Sequence, residues 1–241
     1  MKEFYHKWHS QYLNRDLEML VFGTSGYPII LFPPEKGRFY DCKDAGLIST
    51  VENLIDNDKI KIYCPDSIDF ESWYNFEIHP SERVKKHIIY EKTILNEVIE
   101  FAKYETEKKF VGVAGCSFGA YHALNLAFRH PNVVNSIISL GGFFDIKQFI
   151  FGYYDDNCYF NNPVDYMPNL EDEWYLDKIK SMKIFLAVGE WDLAVQENKK
   201  MSEILLSKNI QHHLDIYPYY GHDWQLWKNI FPDYIAKIIE S

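Results

Sequence analysis

The chain has 241 residues, enough to bury one substantial core, and its 47% hydrophobic and 25% charged residues are an ordinary globular balance. A formal net charge of −10 without a clustered Lys/Arg face argues against a nucleic-acid partner, whose phosphates would be repelled, and disfavours an anionic membrane surface. No apolar run approaches the roughly 18 residues of a membrane span. Met1-Lys2-Glu3-Phe4-Tyr5-His6-Lys7-Trp8-His9 also lacks the apolar stretch of a signal peptide. A cytoplasmic protein is therefore expected, with residues 1–241 as a single domain and a homo-oligomer left open.

Taken in chain order, Phe4 to Ser10 and Asp16 to Gly23 read as two strands joined by a polar turn around Asn14-Arg15, an antiparallel entry hairpin that Gly26-Tyr27-Pro28 closes. Apolar runs and helical patterns then alternate. Ile29 to Phe32 is a strand, Ala45 to Asp56 helical, Ile60 to Cys64 a strand, and Glu82 to Tyr104 a helix. In that helix Val84, Ile88, Leu95, Val98, Ile99 and Ala102 form one apolar stripe. Strands follow at Phe110, Val134 to Leu140, Ile184 to Val188 and His213 to Tyr217, separated by helices after Ser117 and over Glu197 to Ser207, with a closing helix from Asp223. The alternation predicts an α/β fold with a mostly parallel, doubly wound sheet, the N-terminal antiparallel hairpin, and helices on both faces. Residues 143–176 break the alternation with Tyr153-Tyr154, paired asparagines, Pro163 and Pro168. They read as an excursion or partial lid over the sheet edge.

Cys42, Cys64, Cys116 and Cys158 lie too far apart for a zinc or redox pair and read as free buried thiols. Histidine spacings do not match a helical zinc pair, and Asp155-Asp156-Asn157 is too short to specify a calcium site, so neither metal nor organic cofactor is expected.

Gly115-Cys116-Ser117-Phe118-Gly119 lies between an apolar strand and the helix-like Ala120 to Ala127, the context of a nucleophile elbow. Glycines are needed on both sides because the turn is tight and strand, serine and helix crowd together. A serine hydroxyl needs a base near neutral pH, and His222 follows the last strand within Gly221-His222-Asp223-Trp224, where Gly221 would permit a sharp turn. The other histidines, His122 and His130 on the elbow helix included, read as surface or packing residues. A carboxylate must hold the base's tautomer; Asp192, after the strand Ile184 to Val188, fits the order Ser, Asp, His, with Glu190 and Asp145 as alternatives. The oxyanion donors fall to the Phe118 N–H and to the loop Pro33 to Tyr40. Pro33 and Pro34 carry no N–H, so Glu35 or Lys36 must serve, with Glu35 favoured and its carboxylate turned towards Arg38 or Lys36.

With these elements in order, the chain resembles the α/β-hydrolase superfamily, and more narrowly the compact "putative esterase" group that includes esterase D and mycolyltransferase relatives. The strings that carry the resemblance are Phe32 to Tyr40, Glu71-Ser72-Trp73-Tyr74-Asn75, Gly115 to Ala123, Tyr153 to Asn169 and Gly221 to Trp224. The sequence departs from many of those relatives at Ala120, where a second glycine is common, and at Pro33-Pro34. The resemblance implies Ser117, Asp192 and His222 as a triad acting on ester or thioester carbonyls of a small molecule. Aromatics reach 17% of the chain, and Trp73, Tyr74, Trp191 and Trp224 fall where they could wall an acyl or alcohol pocket. The rival functions are an acyltransferase using the same acyl-enzyme and a noncatalytic binding protein on this fold.

Overall fold

The computed structural model of the protein describes residues 1–240. Eight strands form one sheet: β1 (Glu3–Ser10), β2 (Arg15–Phe22), β3 (Tyr27–Phe32), β4 (Ile60–Pro65), β5 (Val111–Cys116), β6 (Val134–Leu140), β7 (Lys183–Gly189) and β8 (His213–Tyr217). Their spatial order is β1-β2-β4-β3-β5-β6-β7-β8. Strand β2 runs antiparallel to both its neighbours, and the pairs from β3 and β4 through β8 are all parallel. The sequence places Tyr27 and Pro28 in a turn, whereas both belong to β3; Pro28 is tolerated there because it stands at the strand's start.

Side-chain alternation along the strands divides the core between the two faces. Ile30, Phe32, Val111, Val113, Ile137, Ile184 and Leu186 pack on one side with the helices Phe118–Arg129 and Val195–Ser207. Ile29, Leu31, Ala114, Cys116, Ile138, Leu140 and Ala187 pack on the other with Leu47 to Ile55 and the closing helix Trp224–Ile239. The stretch expected as helical from Ala45 to Asp56 is two short turns, Ile48–Val51 and Glu52–Asp56; a further turn, Asp41–Asp44, precedes it and is separated from them by Gly46, which takes a φ of +82°.

The long helix runs from Pro80 to Thr106 and contains a π-helical turn at Ile94–Ile99. The Glu97 carboxylate within that turn accepts hydrogen bonds from Trp8 Nε1, Ser10 Oγ and the Gln11 N–H of the entry hairpin. Its buried face differs from a purely apolar stripe: His87 and Glu91 lie on it, while Ile88 and Leu95 are only half-buried. Burial opposes charge on Glu91, but the His130 hydrogen bond and the Arg129 guanidinium outweigh it and hold the carboxyl at about 2. Burial pushes His87 down to about 3 from 6.5, so it is neutral in the folded chain.

Both shifts act in one direction. Between those two values an unfolded chain binds a proton on this histidine that the native state refuses, so stability declines as the pH falls below about 6.5. Glu91 adds a further loss below 4.5. Urea titrations should show the unfolding free energy falling by up to about 1.4 kcal/mol per pH unit between about pH 6 and 4.5. The slope should flatten in His87→Phe; an equal slope in both proteins would refute the assignment.

Residues 143–176 fold as short helices, Ile146–Phe149, Asp156–Tyr159, Pro163–Tyr166 and Met167–Asn169, leading into Glu173–Lys180. The paired asparagines pin this excursion. Asn162 accepts from the Ile146 N–H and donates to Asp145 and Asp165, while Asn161 accepts from Asn125 and, through its carbonyl, from Tyr121 on the elbow helix. Asp155 caps the helix Asp156–Tyr159, which accounts for the acidic string there. All four cysteines are free and buried.

Candidate active site

Strand β5 ends at Cys116 and the elbow helix begins at Phe118, leaving Ser117 alone on the turn with φ +54° and ψ −121°. A non-glycine residue in that region carries strain of about 1–3 kcal/mol, maintained by its surroundings. The Ser117 N–H donates to the Leu140 carbonyl at 2.8 Å, tying the turn to the end of β6. Both flanking glycines are steric necessities. A Cβ on Gly115 would lie 2.1 Å from the Gly119 carbonyl oxygen, and one on Gly119 would lie 2.2 Å from that of Pro33.

His222 leaves the end of β8 and projects back over this turn. Its Nδ1 donates to Asp192 Oδ2 at 2.8 Å, and its Nε2 lies 2.8 Å from Ser117 Oγ. A carboxylate only accepts, so the neutral ring carries its proton on Nδ1 and Nε2 is left to accept from the serine hydroxyl. Asp192 is buried after β7, and its Oδ1 accepts the Ala194 N–H at 2.7 Å. The His222 side chain remains 29% exposed, so the site opens to solvent on the imidazole side. Gly141 passes beneath the pair at φ +62°; a Cβ there would come within 3.0 Å of Asp192 Oδ2 and 3.1 Å of the His222 ring. Gly221 is different: its φ is not positive, and an added Cβ would meet nothing within 4 Å.

The alternative acids are engaged elsewhere. Asp145 caps the turn Ile146–Phe149 and accepts from Asn162, while Glu190 accepts the Tyr219 N–H. Its neighbour Glu197 receives the Phe144 and Asp145 N–H groups and so holds the chain after β6.

The loop after β3 forms a turn closed by the Gly37 N–H on the Pro34 carbonyl, with Lys36 at φ +54°. The Lys36 N–H donates to Asp69 Oδ2 at 2.9 Å and the Arg38 N–H to Asp41. Pro33 and Pro34 having no N–H, Glu35 carries the one amide from 33 to 38 without a hydrogen-bond partner among the described residues. The Glu35 carboxylate makes no ion pair with Arg38 or Lys36 among the described residues. It accepts from the Tyr74 hydroxyl at 2.6 Å, because Arg38 is drawn to Asp66 and Glu18 on the far side of the loop.

The four aromatics expected at a pocket separate into different roles. Trp73 is fully buried, packed on His87 and Phe149, and offers no surface to a ligand. Tyr74 stands against Phe118 and Phe149 at 5.4 and 4.8 Å, with Lys36 Nζ 4.6 Å from its ring centre. Trp191 is 65% exposed and pairs with Tyr219. Trp224 packs on Trp227, whose ring stands edge-on to the imidazole of His222 at 5.0 Å. Phe143, 5.5 Å from that imidazole, and Trp227 escaped the sequence reading. Nothing in their spacing marks them: Phe143 lies in the chain that leaves β6, and Trp227 in the first turn of the closing helix.

Among the described residues no cluster of three or more His, Cys, Asp or Glu is arranged to hold a metal ion, and no helix is long and apolar enough to cross a membrane. Residues 49–238 match the model of the family described as "Putative esterase". In three dimensions the chain is similar to a ferulic acid esterase, with a TM-score of 0.80 and 14% identity over 99% of this chain and 97% of that one. It is similar as well to an S-formylglutathione hydrolase from Agrobacterium tumefaciens, with a TM-score of 0.78 and 10% identity over 99% and 94% of the two chains. A ferulic acid esterase from Anaeromyces mucronatus follows with a TM-score of 0.72 and 14% identity, over 99% and 90%. No curated protein matches the chain by sequence. With a family match that covers most of its length and the sheet order described above, the chain belongs to the "Putative esterase" family, carboxylesterase-like hydrolases of the α/β-hydrolase fold.

Proposed function

We propose that the protein hydrolyses a carboxylic ester or thioester of a small molecule through an acyl-enzyme on Ser117. The observation that carries this reading is the continuous relay of 2.8 Å contacts from Ser117 Oγ, on a serine in a strained backbone conformation, through the His222 ring to Asp192. Ser117 Oγ attacks the carbonyl carbon as His222 Nε2 takes its proton, and the carbonyl π electrons move onto oxygen. Asp192 balances the imidazolium that forms. The Phe118 N–H, at the positive end of the elbow helix, and the unpaired Glu35 N–H are the two donors for the oxyanion. As the tetrahedral species collapses, His222 returns the proton to the departing alcohol or thiol. Water then repeats the sequence: it loses a proton to His222, attacks the acyl carbon, and releases the acid with Ser117 reprotonated. Tyr74, against the Phe118 ring, and Phe143, against the His222 ring, are candidate contacts for the acyl or alcohol groups, with the exposed Trp191 next to Asp192 in the chain as a third. No step calls for a metal or an organic cofactor.

The reading is tested by incubating the protein with a fluorophosphonate and sequencing the labelled peptide by mass spectrometry. One equivalent should attach at Ser117, none in His222→Ala, and the same pretreatment should end turnover of a p-nitrophenyl ester. Absence of label on Ser117 in an active preparation would overturn the proposal. Running the ester reaction in water with added methanol or glycerol separates hydrolysis from acyl transfer, since a transferase would direct most of its product to the alcohol.

A further inference from the structure

The carboxylate of Asp69 lies outside the relay just described, is 1% exposed, and spends its two oxygens on two different parts of the site. Oδ1 accepts from His122 Nε2 at 2.9 Å, and Oδ2 accepts from the Lys36 N–H at 2.9 Å. His122, 4% exposed, stands one helical turn after Phe118. Its ring is fixed by Phe118 at 5.0 Å, Tyr90 at 5.4 Å and Phe32 at 5.9 Å. A rigid path therefore runs from the elbow helix, through His122 and Asp69, to the peptide that joins Glu35 and Lys36.

That peptide needs a holder. Lys36 sits at φ +54°, a conformation that costs a non-glycine residue about 1–2 kcal/mol. With the Lys36 N–H held by Asp69, the Glu35–Lys36 peptide plane is fixed, and the neighbouring Pro33 and Pro34 rings restrict what is left of the loop. The Glu35 N–H lies on the preceding Pro34–Glu35 plane, joined to the held plane at Glu35 Cα; with Lys36 released, the turn that the Gly37 N–H closes on the Pro34 carbonyl could shift and carry the Glu35 N–H away. Stability alone is a poor reason for this pair, because a buried polar pair is often no more stable than apolar residues of the same volume. We propose that Asp69, oriented by His122, is a positioning residue that holds the Glu35 N–H at a fixed span from the Phe118 N–H. This rests on the oxyanion assignment made under the proposed function.

The test compares Asp69→Ala, Asp69→Asn, His122→Phe and Ser117→Ala with the parent protein, using a p-nitrophenyl ester for kcat and KM and phenylboronic acid as a tetrahedral mimic. Asp69→Ala should lower kcat by about tenfold to a hundredfold with KM changed less than about threefold, and weaken the boronic acid by the same factor as kcat/KM. Asn at 69 still accepts from the Lys36 N–H, and its amide can donate to a His122 ring protonated on Nδ1. It should restore kcat to within about threefold. His122→Phe keeps the ring packing, removes the donor, and should lower kcat about fivefold or more; it carries the test if Asp69→Ala does not fold. An unchanged kcat in either folded variant, a loss confined to KM, or an Asn variant as slow as Ala overturns the proposal. Ser117→Ala separates the two levels: if it retains turnover the underlying mechanism fails, whereas if it is inactive and the Asp69 and His122 variants keep the parent kcat, only the positioning role fails.

Discussion

Ser117→Ala is expected to lower kcat/KM for an aryl ester by about 10⁴-fold or more, with a melting temperature within a few degrees of the parent protein. The substitution removes one oxygen, and alanine takes over a φ of +54° that the surrounding turn already imposes on serine. The backbone hydrogen bond from residue 117 to Leu140 is untouched, so the fold has no reason to change. What disappears is the nucleophile and the acceptor's partner at His222 Nε2. The oxyanion donors would remain, and a residual rate well above that in water is consistent with them. Steady-state kinetics beside a thermal melt decide the matter, and turnover within tenfold of the parent in a folded Ser117→Ala would eliminate the acyl-enzyme mechanism. Asp192→Asn tests the other end of the relay. An amide can donate to Nδ1 and hold the wrong tautomer, so a comparable loss is expected there.

Gly115→Ala is expected to cost more than about 4 kcal/mol and to leave little soluble protein, although residue 115 touches no substrate. The added Cβ would stand 2.1 Å from the Gly119 carbonyl oxygen and 2.6 Å from the Ala120 nitrogen. Both are backbone atoms of the elbow helix, so no rotamer change relieves the contact. The helix would have to lift from β5, and its buried face of Ala123, Leu124, Ala127 and Phe128 would lose its packing. Gly221→Ala is the control. It lies beside His222, but its Cβ enters open space at a φ that any residue adopts, so the change in stability should stay within about 1 kcal/mol. Urea denaturation of the two variants checks the contrast; equal stabilities would show that close approach at the elbow is not what residue 115 provides.

Much of the sheet could be read in advance, because each central strand is a short apolar run bounded by turn residues and buried on both faces. Val134–Leu140 falls where its apolar run puts it, and the part-exposed edge strand His213–Tyr217 also spans the expected residues. The long helix shows the limit of such patterns. Periodicity finds its buried side, yet it counts His87 and Glu91 as polar and so misplaces the centre of that face by part of a turn. Trp73 illustrates the same limit from the other direction. An aromatic in a loop after a strand reads as a pocket wall, but the excursion at 143–176 brings Phe149 over it and seals it inside.

The candidate site divides along the same line. Ser117, Asp192 and His222 each follow the carboxyl end of a parallel strand, so strand order alone sends them to one edge of the sheet, and the tight glycine turn is written in five consecutive residues. The partners of the second-donor loop are not local in this way. Lys36 reaches Asp69 across 33 positions, and Asp69 reaches His122 across 53. Neither separation carries a period, and His122 in isolation is one more residue on a buried helix. Local chemistry and strand alternation thus determine where the reacting groups emerge. Only the packed fold decides which buried carboxylate takes up a backbone N–H, because that depends on what surrounds it in space.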